Sequence, residues 1–204
     1  LTGYGQYVYY CQYGDISYFP DQNYIFIGGS GTKISGFLNV SDSLAVIKED
    51  NSQETTIYFL YETTLTVTGQ DGTTTDVSTY GAKQTSASVG AIGSCMGVLI
   101  DDPLFLAPTG IYGIATKNYT SEKIIRNRSV FVNSRLTAES NLQNAVGCVW
   151  NDKFCVFINN HVYILDAKQR SNDSTTGSFI YECYYWNNVP ATSVMSFDGQ
   201  IYFG

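Results

Sequence analysis

The stretch NAVGCVWNDKFCVFINNHVYILDA, residues 144–167, holds three short apolar runs separated by two small polar clusters. Each run is too short for a stable helix, and Asn and Asp tolerate the left-handed backbone that tight hairpin turns require. The stretch therefore reads as AVGCVW, a turn at Asn151 and Asp152, KFCVFI, a turn at Asn159 to His161, and VYILDA. That is a three-stranded antiparallel meander. The arrangement recurs. GSCMGVLIDDPLFLAPTGIYGIAT gives CMGVLI, a turn at Asp101 to Pro103, LFLA, a turn at Pro108 to Gly110, and IYGIAT, while TSVMSF and IYFG flank a turn at Asp198 and Gly199.

The turn marks Asp101, Asn151 and Asp198 stand roughly 50 residues apart, and a fainter mark at Asp42 lies roughly 60 residues before Asp101. Repeats of this period predict an all-β fold of β-propeller-like repeats, each a four-stranded antiparallel meander that buries its faces only by stacking on its neighbours. RSVFVNS (128–134) and SFIYECYYW (178–186) are the expected fourth strands, and KQRSNDSTTGS, ahead of the latter, reads as a surface loop. At roughly 45 residues per repeat the chain accommodates about three to four blades. Residues 1–204 are thus expected to be part of a single β-propeller domain, a partial propeller truncated at both ends, and the chain lacks an initiator Met.

The N-terminal part supports the same reading, with YVYYC (7–11), YIFIG (24–28), ISGFL (34–38), LAVIK (44–48), TIYFLY (56–61) and TLTVT (64–68) as strands. Helix is expected only in TSEKIIRN, capped by Thr120 or Ser121, and in LTAESNLQNA, capped by Thr137. Charged residues make up 14% of the chain, well below the usual quarter, while Tyr and Phe are abundant, which favours strands.

A net charge of −7 disfavours nucleic acid and anionic membranes as partners. The local exception is SEKIIRNRSVFVNSR, with Lys123, Arg126, Arg128 and Arg135, read as a solvated or salt-bridged face in preference to a polyanion patch. The five cysteines, Cys11, Cys95, Cys148, Cys155 and Cys183, are odd in number and contain no CxxC pair, so neither zinc nor a redox dithiol is supported. Cys148 and Cys155 lie within predicted strands and are expected to be buried, reduced thiols, in keeping with assembly in a reducing cytosol. No apolar run approaches the roughly 18 residues of a membrane helix, and LTGYGQYVYY does not read as a signal peptide.

The motifs that suggest chemistry have simpler readings. GGSGTK (28–33) lacks the spacing of a phosphate loop, and TGQDGTTTD (68–76) fits a hairpin turn at Asp71 and Gly72 better than a sialidase Asp box or an EF-hand. The adjacent pair Asp101–Asp102 falls at a turn that recurs as Asn151–Asp152, which argues for a turn role over paired catalytic carboxylates. His161, the sole histidine, is expected at a polar hairpin tip, and the sequons at Asn118, Asn127 and Asn172 carry meaning only in a secreted protein. Trp150 and Trp186 end apolar strands and read as plugs at blade ends before they read as sugar platforms. No catalytic, cofactor-binding or metal residue is assigned, and no cofactor is expected.

DPLFLAPTGIYGIATKNYTSEKIIRNRSVFVNSRL, followed by NLQNAVGCVWNDKFCVFINNHVYILDA and YYWNNVPATSVMSFDGQIYFG, resembles the propeller-type virion proteins of tailed bacteriophages and prophages, particularly those of gut bacteria. These are often labelled tail-hub or packaged-DNA stabilisation proteins. The likeness covers about residues 85–204 and rests on the order of a GIYG strand, an NRS...VN...L segment, a VYILD strand, a YYW...VPA linker and FDGQIYFG. It implies a non-enzymatic structural protein of the tail or head-tail connector that helps retain packaged DNA. The implied partners are portal, tail or adaptor proteins and further copies of itself, in a virion assembled in the bacterial host cytoplasm, with no sequence-specific nucleic acid binding and no membrane.

On this reading contacts fall in the loops 118–128 and 167–177. The alternatives are a carbohydrate-binding propeller for host-surface recognition, with Trp186, Tyr184 and Tyr185 as its platform, and a fragment of a propeller hydrolase with acidic residues supplied by further blades.

Overall fold

A computed structural model describes residues 1–29, 31–51, 53–85, 88–116, 123–173 and 178–204. The described chain is all-β and forms five antiparallel sheets, each made from strands consecutive in sequence. Sheet 1 contains β1 (Thr2–Tyr4), β2 (Tyr7–Tyr9) and β3 (Tyr24–Phe26). Sheet 2 contains β4 (Ile34–Val40), β5 (Ser43–Lys48), β6 (Ile57–Thr68) and β7 (Thr74–Gln84). Sheet 3 contains β8 (Met96–Leu99), β9 (Asp102–Ala107), β10 (Gly110–Thr116) and β11 (Lys123–Asn127). Sheet 4 contains β12 (Val146–Trp150), β13 (Lys153–Ile158), β14 (His161–Asp173) and β15 (Ser178–Asn187), and sheet 5 is the hairpin of β16 (Val194–Phe197) and β17 (Gln200–Phe203). A single helical turn, α1 (Asn133–Leu136), and a 3-10 turn at Leu142–Asn144 join sheet 3 to sheet 4.

The first strand of each sheet lies beside the first strand of the next: β1 with β4, β4 with β8, β8 with β12, and β12 with β16. The sheets are thereby stacked face to face. In β9, Leu104 and Leu106 enter a core shared with Phe154, Val156 and Leu165 of sheet 4. Phe105 and Ala107, on the opposite face, enter a core shared with Leu38, Ala45 and Ile47 of sheet 2. The second strand of sheet 4 behaves alike, since Phe154 and Val156 face sheet 3 while Cys155 and Phe157 pack with Val194 and Ile201 of sheet 5. Two-sided burial explains why LAVIK, LFLA and KFCVFI are continuous apolar runs and not alternating ones.

The outward faces of the two end sheets are uncovered in the described chain. Tyr4, Tyr7, Tyr24 and Phe26 share one face of sheet 1 and are exposed, with Tyr7 meeting Tyr24 and Phe26 edge to face at 5.5 Å. Met195, Phe197 and Tyr202 do the same on sheet 5, whose other face packs on sheet 4.

Most hairpins turn where Asn, Asp and Gly predict. Asn151 and Asp152, Asn159 and Asn160, and Asp198 and Gly199 all have positive φ in two-residue turns. The turn of sheet 3 falls earlier than its sequence suggests, at Ile100 and Asp101, so that Asp102 and Pro103 belong to β9. Ile100 takes φ 58°, a strained conformation for a β-branched residue. TIYFLY and TLTVT form one strand, β6, because the ladder to β7 continues through Glu62 and Thr63.

The fourth strand of sheet 3 is β11 and not RSVFVNS. After Asn127 the chain turns, the Ser129 amide donates to Asn127 Oδ1 at 3.0 Å, and α1 follows. Thr137 closes α1 at its C-terminal end, its hydroxyl donating to the Asn133 carbonyl at 2.8 Å, where an N-terminal cap is expected. The expected caps Thr120 and Ser121 lie outside the described residues, and Lys123–Asn127, expected to be helical, is strand. KQRSND, expected as a loop, continues β14 up to Asp173, because backbone pairing does not require apolar side chains.

Replacing Ile100 with Asn, which tolerates the left-handed region, should stabilise the protein by about 1 kcal/mol. A rise in the urea midpoint at unchanged slope would show it, and a fall would mean that the half-exposed Ile100 side chain contributes more than its strain costs.

Candidate functional site

A cavity of about 220 Å³ opens where sheets 2, 3 and 4 meet. Val40 at the end of β4 and Ser41 in the turn that follows contribute from sheet 2, Asp101 from the corresponding turn of sheet 3 and Asp102 from the start of β9, Ile114 and Ala115 from β10, and Arg128 from just beyond β11. Sheet 4 contributes Arg170 and Phe179. Ser41, which lines the cavity, and Ile100, which precedes its Asp101, both occupy the left-handed region, at φ 55° and 58°.

Its floor is a buried ion pair. Arg128 Nε donates to Asp102 Oδ2 at 2.9 Å and Nη2 to Oδ1 at 3.3 Å, while Nη1 donates to Ser178 Oγ at 2.9 Å and the Phe179 carbonyl at 2.6 Å. Tyr181 donates its hydroxyl to Asp102 Oδ2 at 3.0 Å. Burial pushes the Asp102 carboxyl above the usual carboxylate range, against the pull of Arg128, of the Tyr181 hydroxyl and of Arg170. Burial and the Asp102 charge likewise drive the Tyr181 phenol far up. Gly113 provides the room, since a Cβ there would come within 2.7 Å of Asp102 Oδ1 and 2.9 Å of Arg128 Nε.

Arg170 reaches the cavity through a register break. Asp166 pairs with Glu182 and Arg170 with Tyr181, so residues 167–169 bulge out of the ladder. The Arg170 guanidinium lies over the rings of Phe179 (4.6 Å) and Tyr181 (5.4 Å), and its Nε donates to the Ala167 carbonyl at 3.1 Å. The Arg128 guanidinium lies closer to Phe179, at 3.8 Å. Together these contacts tie sheet 3 to the outer hairpin of sheet 4.

The residues singled out from sequence are dispersed. Asp102 is no turn residue: it begins a strand and is buried against Arg128, whereas Asp101 remains at the exposed turn. The basic stretch does not form one face, because Arg128 is consumed in the ion pair, Arg135 lies over Tyr185 at 3.5 Å, and Arg126 sits half-buried on β11.

His161 is half-buried at the start of β14, with Nδ1 2.6 Å from Glu139 Oε1, an oxygen that also accepts the Tyr163 hydroxyl at 2.7 Å. Burial alone would raise the Glu139 carboxyl, but bonds from Asn159, Tyr163 and His161 outweigh it and hold the group below its ordinary value.

Trp150 donates Nε1–H to the Gly199 carbonyl at 2.9 Å, joining sheet 4 to sheet 5. Trp186 and Tyr184 share one face of β15, opposite Val162 and Ile164, while Tyr185 points to the other face against Tyr163, so the three rings make no common platform. Cys148 and Cys155 face each other across β12 and β13 as free thiols, and burial raises Cys95, Cys155 and Cys183 to about 12. Among the described residues no group of three His, Cys, Asp or Glu is placed to hold a metal, and no helix is long and apolar enough to cross a membrane. Asn118 lies outside the described residues.

No protein-family model matches the chain, and no curated protein is significantly similar to it.

Asp102→Asn leaves Arg128 buried without its counter-charge and should cost about 3–5 kcal/mol in urea unfolding. The double change Asp102→Asn with Arg128→Met should recover part of that loss, and a purely additive result would show that the two side chains do not act as a pair. A second expectation concerns acid. A carboxyl held low in the folded state stabilises above its unfolded value of 4.5 and loses that contribution as pH falls through its folded value. Unfolding of Glu139→Gln should therefore depend less steeply on pH below about 4.5 than unfolding of the unaltered protein.

Proposed function

We propose that the five sheets are blades of a β-propeller and that the chain acts as a rigid, non-enzymatic structural part of a tailed-phage virion, at the tail or head-tail connector. The observation that carries the propeller reading is the succession of first strands, β1, β4, β8, β12 and β16, each beside the next, which is how blades are arranged around a common axis. The virion role rests on the motif order over residues 85–204 and accords with a site whose charged groups are largely spent on one another: Asp102 accepts from Arg128 and Tyr181, and Arg128 makes its remaining bonds to Ser178 and Phe179. Such groups hold sheets in register and leave little for proton transfer.

Partners in this reading are other virion proteins and further copies of the chain, and the uncovered aromatic faces of sheets 1 and 5 are the surfaces through which they join. Arg128, whose reversal would break the core, is not a residue through which to probe such contacts. Sugar recognition is the weaker reading, because Tyr184 and Trp186 lie on the face that sheet 5 covers nearer the first strands and so continue a packing surface.

Particles banded by density centrifugation from a culture carrying the gene should contain peptides of this chain in fixed ratio to the portal protein. Their absence from washed particles would remove the virion role. Phe197→Asp, on the exposed face of sheet 5, should lower incorporation by about tenfold while leaving the melting temperature of the isolated protein unchanged.

A further inference from the structure

We propose that the cavity between sheets 2, 3 and 4 binds a carboxylate carried on a short hydrocarbon stem, with Arg170 as its charged contact. The two arginines that line it differ in what they have left to give. Arg128 is spent on Asp102, Ser178 and the Phe179 carbonyl. Among the described residues Arg170 commits only Nε, to Ala167, and has no carboxylate within ion-pair distance. Among the described residues its two terminal nitrogens have no acceptor, and the rings of Phe179 and Tyr181 lie alongside its guanidinium. A fixed, planar fork with two free donors matches a carboxylate in bidentate geometry.

The rest of the cavity narrows the choice. Asp101 and Asp102 line the same space, so a dianionic phosphate would meet repulsion from two carboxylates that a singly charged acid meets at half the strength. Val40, Ile114 and Ala115 give it an apolar wall that suits a hydrocarbon stem. At about 220 Å³ the cavity is smaller than the roughly 300–1,000 Å³ typical of pockets for drug-sized ligands, so the occupant has the size of a side chain.

Two backbone features point to the same place. The bulge at 167–169 delivers Arg170 to the cavity, and the turns that hold Ser41 and Ile100 in the left-handed region reach it through Ser41 and Asp101. Bulges and strained residues gather where a side chain must be aimed at a ligand. Binding here does not depend on the virion role, since the chain alone suffices to test it.

The test is a solution NMR titration of the chain with N-acetyl-glutamate N-methylamide and with butyrate, alongside the neutral glutamine analogue and inorganic phosphate. Saturable shifts of the Ala115 and Phe179 amides and of Arg170 Nε–H are expected with the acids. Arg170→Gln should weaken binding by about tenfold or more, with amide signals remote from the cavity unmoved as evidence that the fold is kept. Tighter binding of the glutamate analogue assigns the site to an acidic side chain of a protein partner; tighter binding of butyrate assigns it to a free short-chain acid. The proposal is overturned if the glutamine analogue binds as well as the glutamate, if phosphate binds more tightly than either acid, if Arg170→Gln binds unchanged, or if no saturable shift is seen at millimolar concentration.

Discussion

Burial of the second strands on both faces is the constraint to which the other features answer. A strand such as β9, with every residue buried, satisfies its backbone through β8 and β10 and its side chains through the sheets in front and behind. Neither arrangement is stable without the other. A single sheet would leave Leu104 or Phe105 in water, and a stack with broken ladders would bury unpaired amides at a cost of about 1–3 kcal/mol each. The row of stacked meanders is the solution that meets both demands at once.

Polar contacts are added where the apolar stack alone would not fix the sheets relative to one another. Lys48, fully buried in β5, donates to the carbonyl of Ile27 at 3.2 Å and to Glu54 at 3.1 Å, pinning sheet 2 to the segment that leaves sheet 1. Arg128 and Asp102 do the same between sheets 3 and 4, and Trp150 between sheets 4 and 5. Apolar faces can slide by a fraction of an ångström at little cost, whereas a buried arginine, held by Asp102 within its own sheet and bonded to Ser178 and the Phe179 carbonyl of the next, cannot. Each inter-sheet clasp therefore specifies position more than it adds net stability.

The sequence shows much of the scaffold and little of the site. Meanders at 96–116 and 146–167 were readable because their strands are uninterrupted apolar runs and most of their turns carry residues that accept a left-handed backbone. Ile100 breaks that rule, which is why its turn reads as starting one residue late, at Asp101. The segment at 128–134 reads as a strand because Val130, Phe131 and Val132 form a short apolar run between polar residues, yet it makes a turn and a short helix under the demands of Ser129 and Asn127. Asp102 and Tyr181 are separated by 79 residues, and nothing local marks an arginine in a polar stretch as the one that will be buried between them. The bulge before Arg170 lies in a run so polar that it reads as a loop, although hydrogen-bonded ladders depend on the backbone and not on side-chain polarity.

The strictly consecutive order of strands in every sheet also bears on how the molecule is made. Each ladder closes between segments that leave the ribosome one after another, so a meander can form without waiting for distant chain. Stacking then proceeds by nearest neighbours, each new sheet finding its template in the one just completed. Coupling in such a row passes from sheet to sheet, and damage at one junction is felt most by the two sheets that share it.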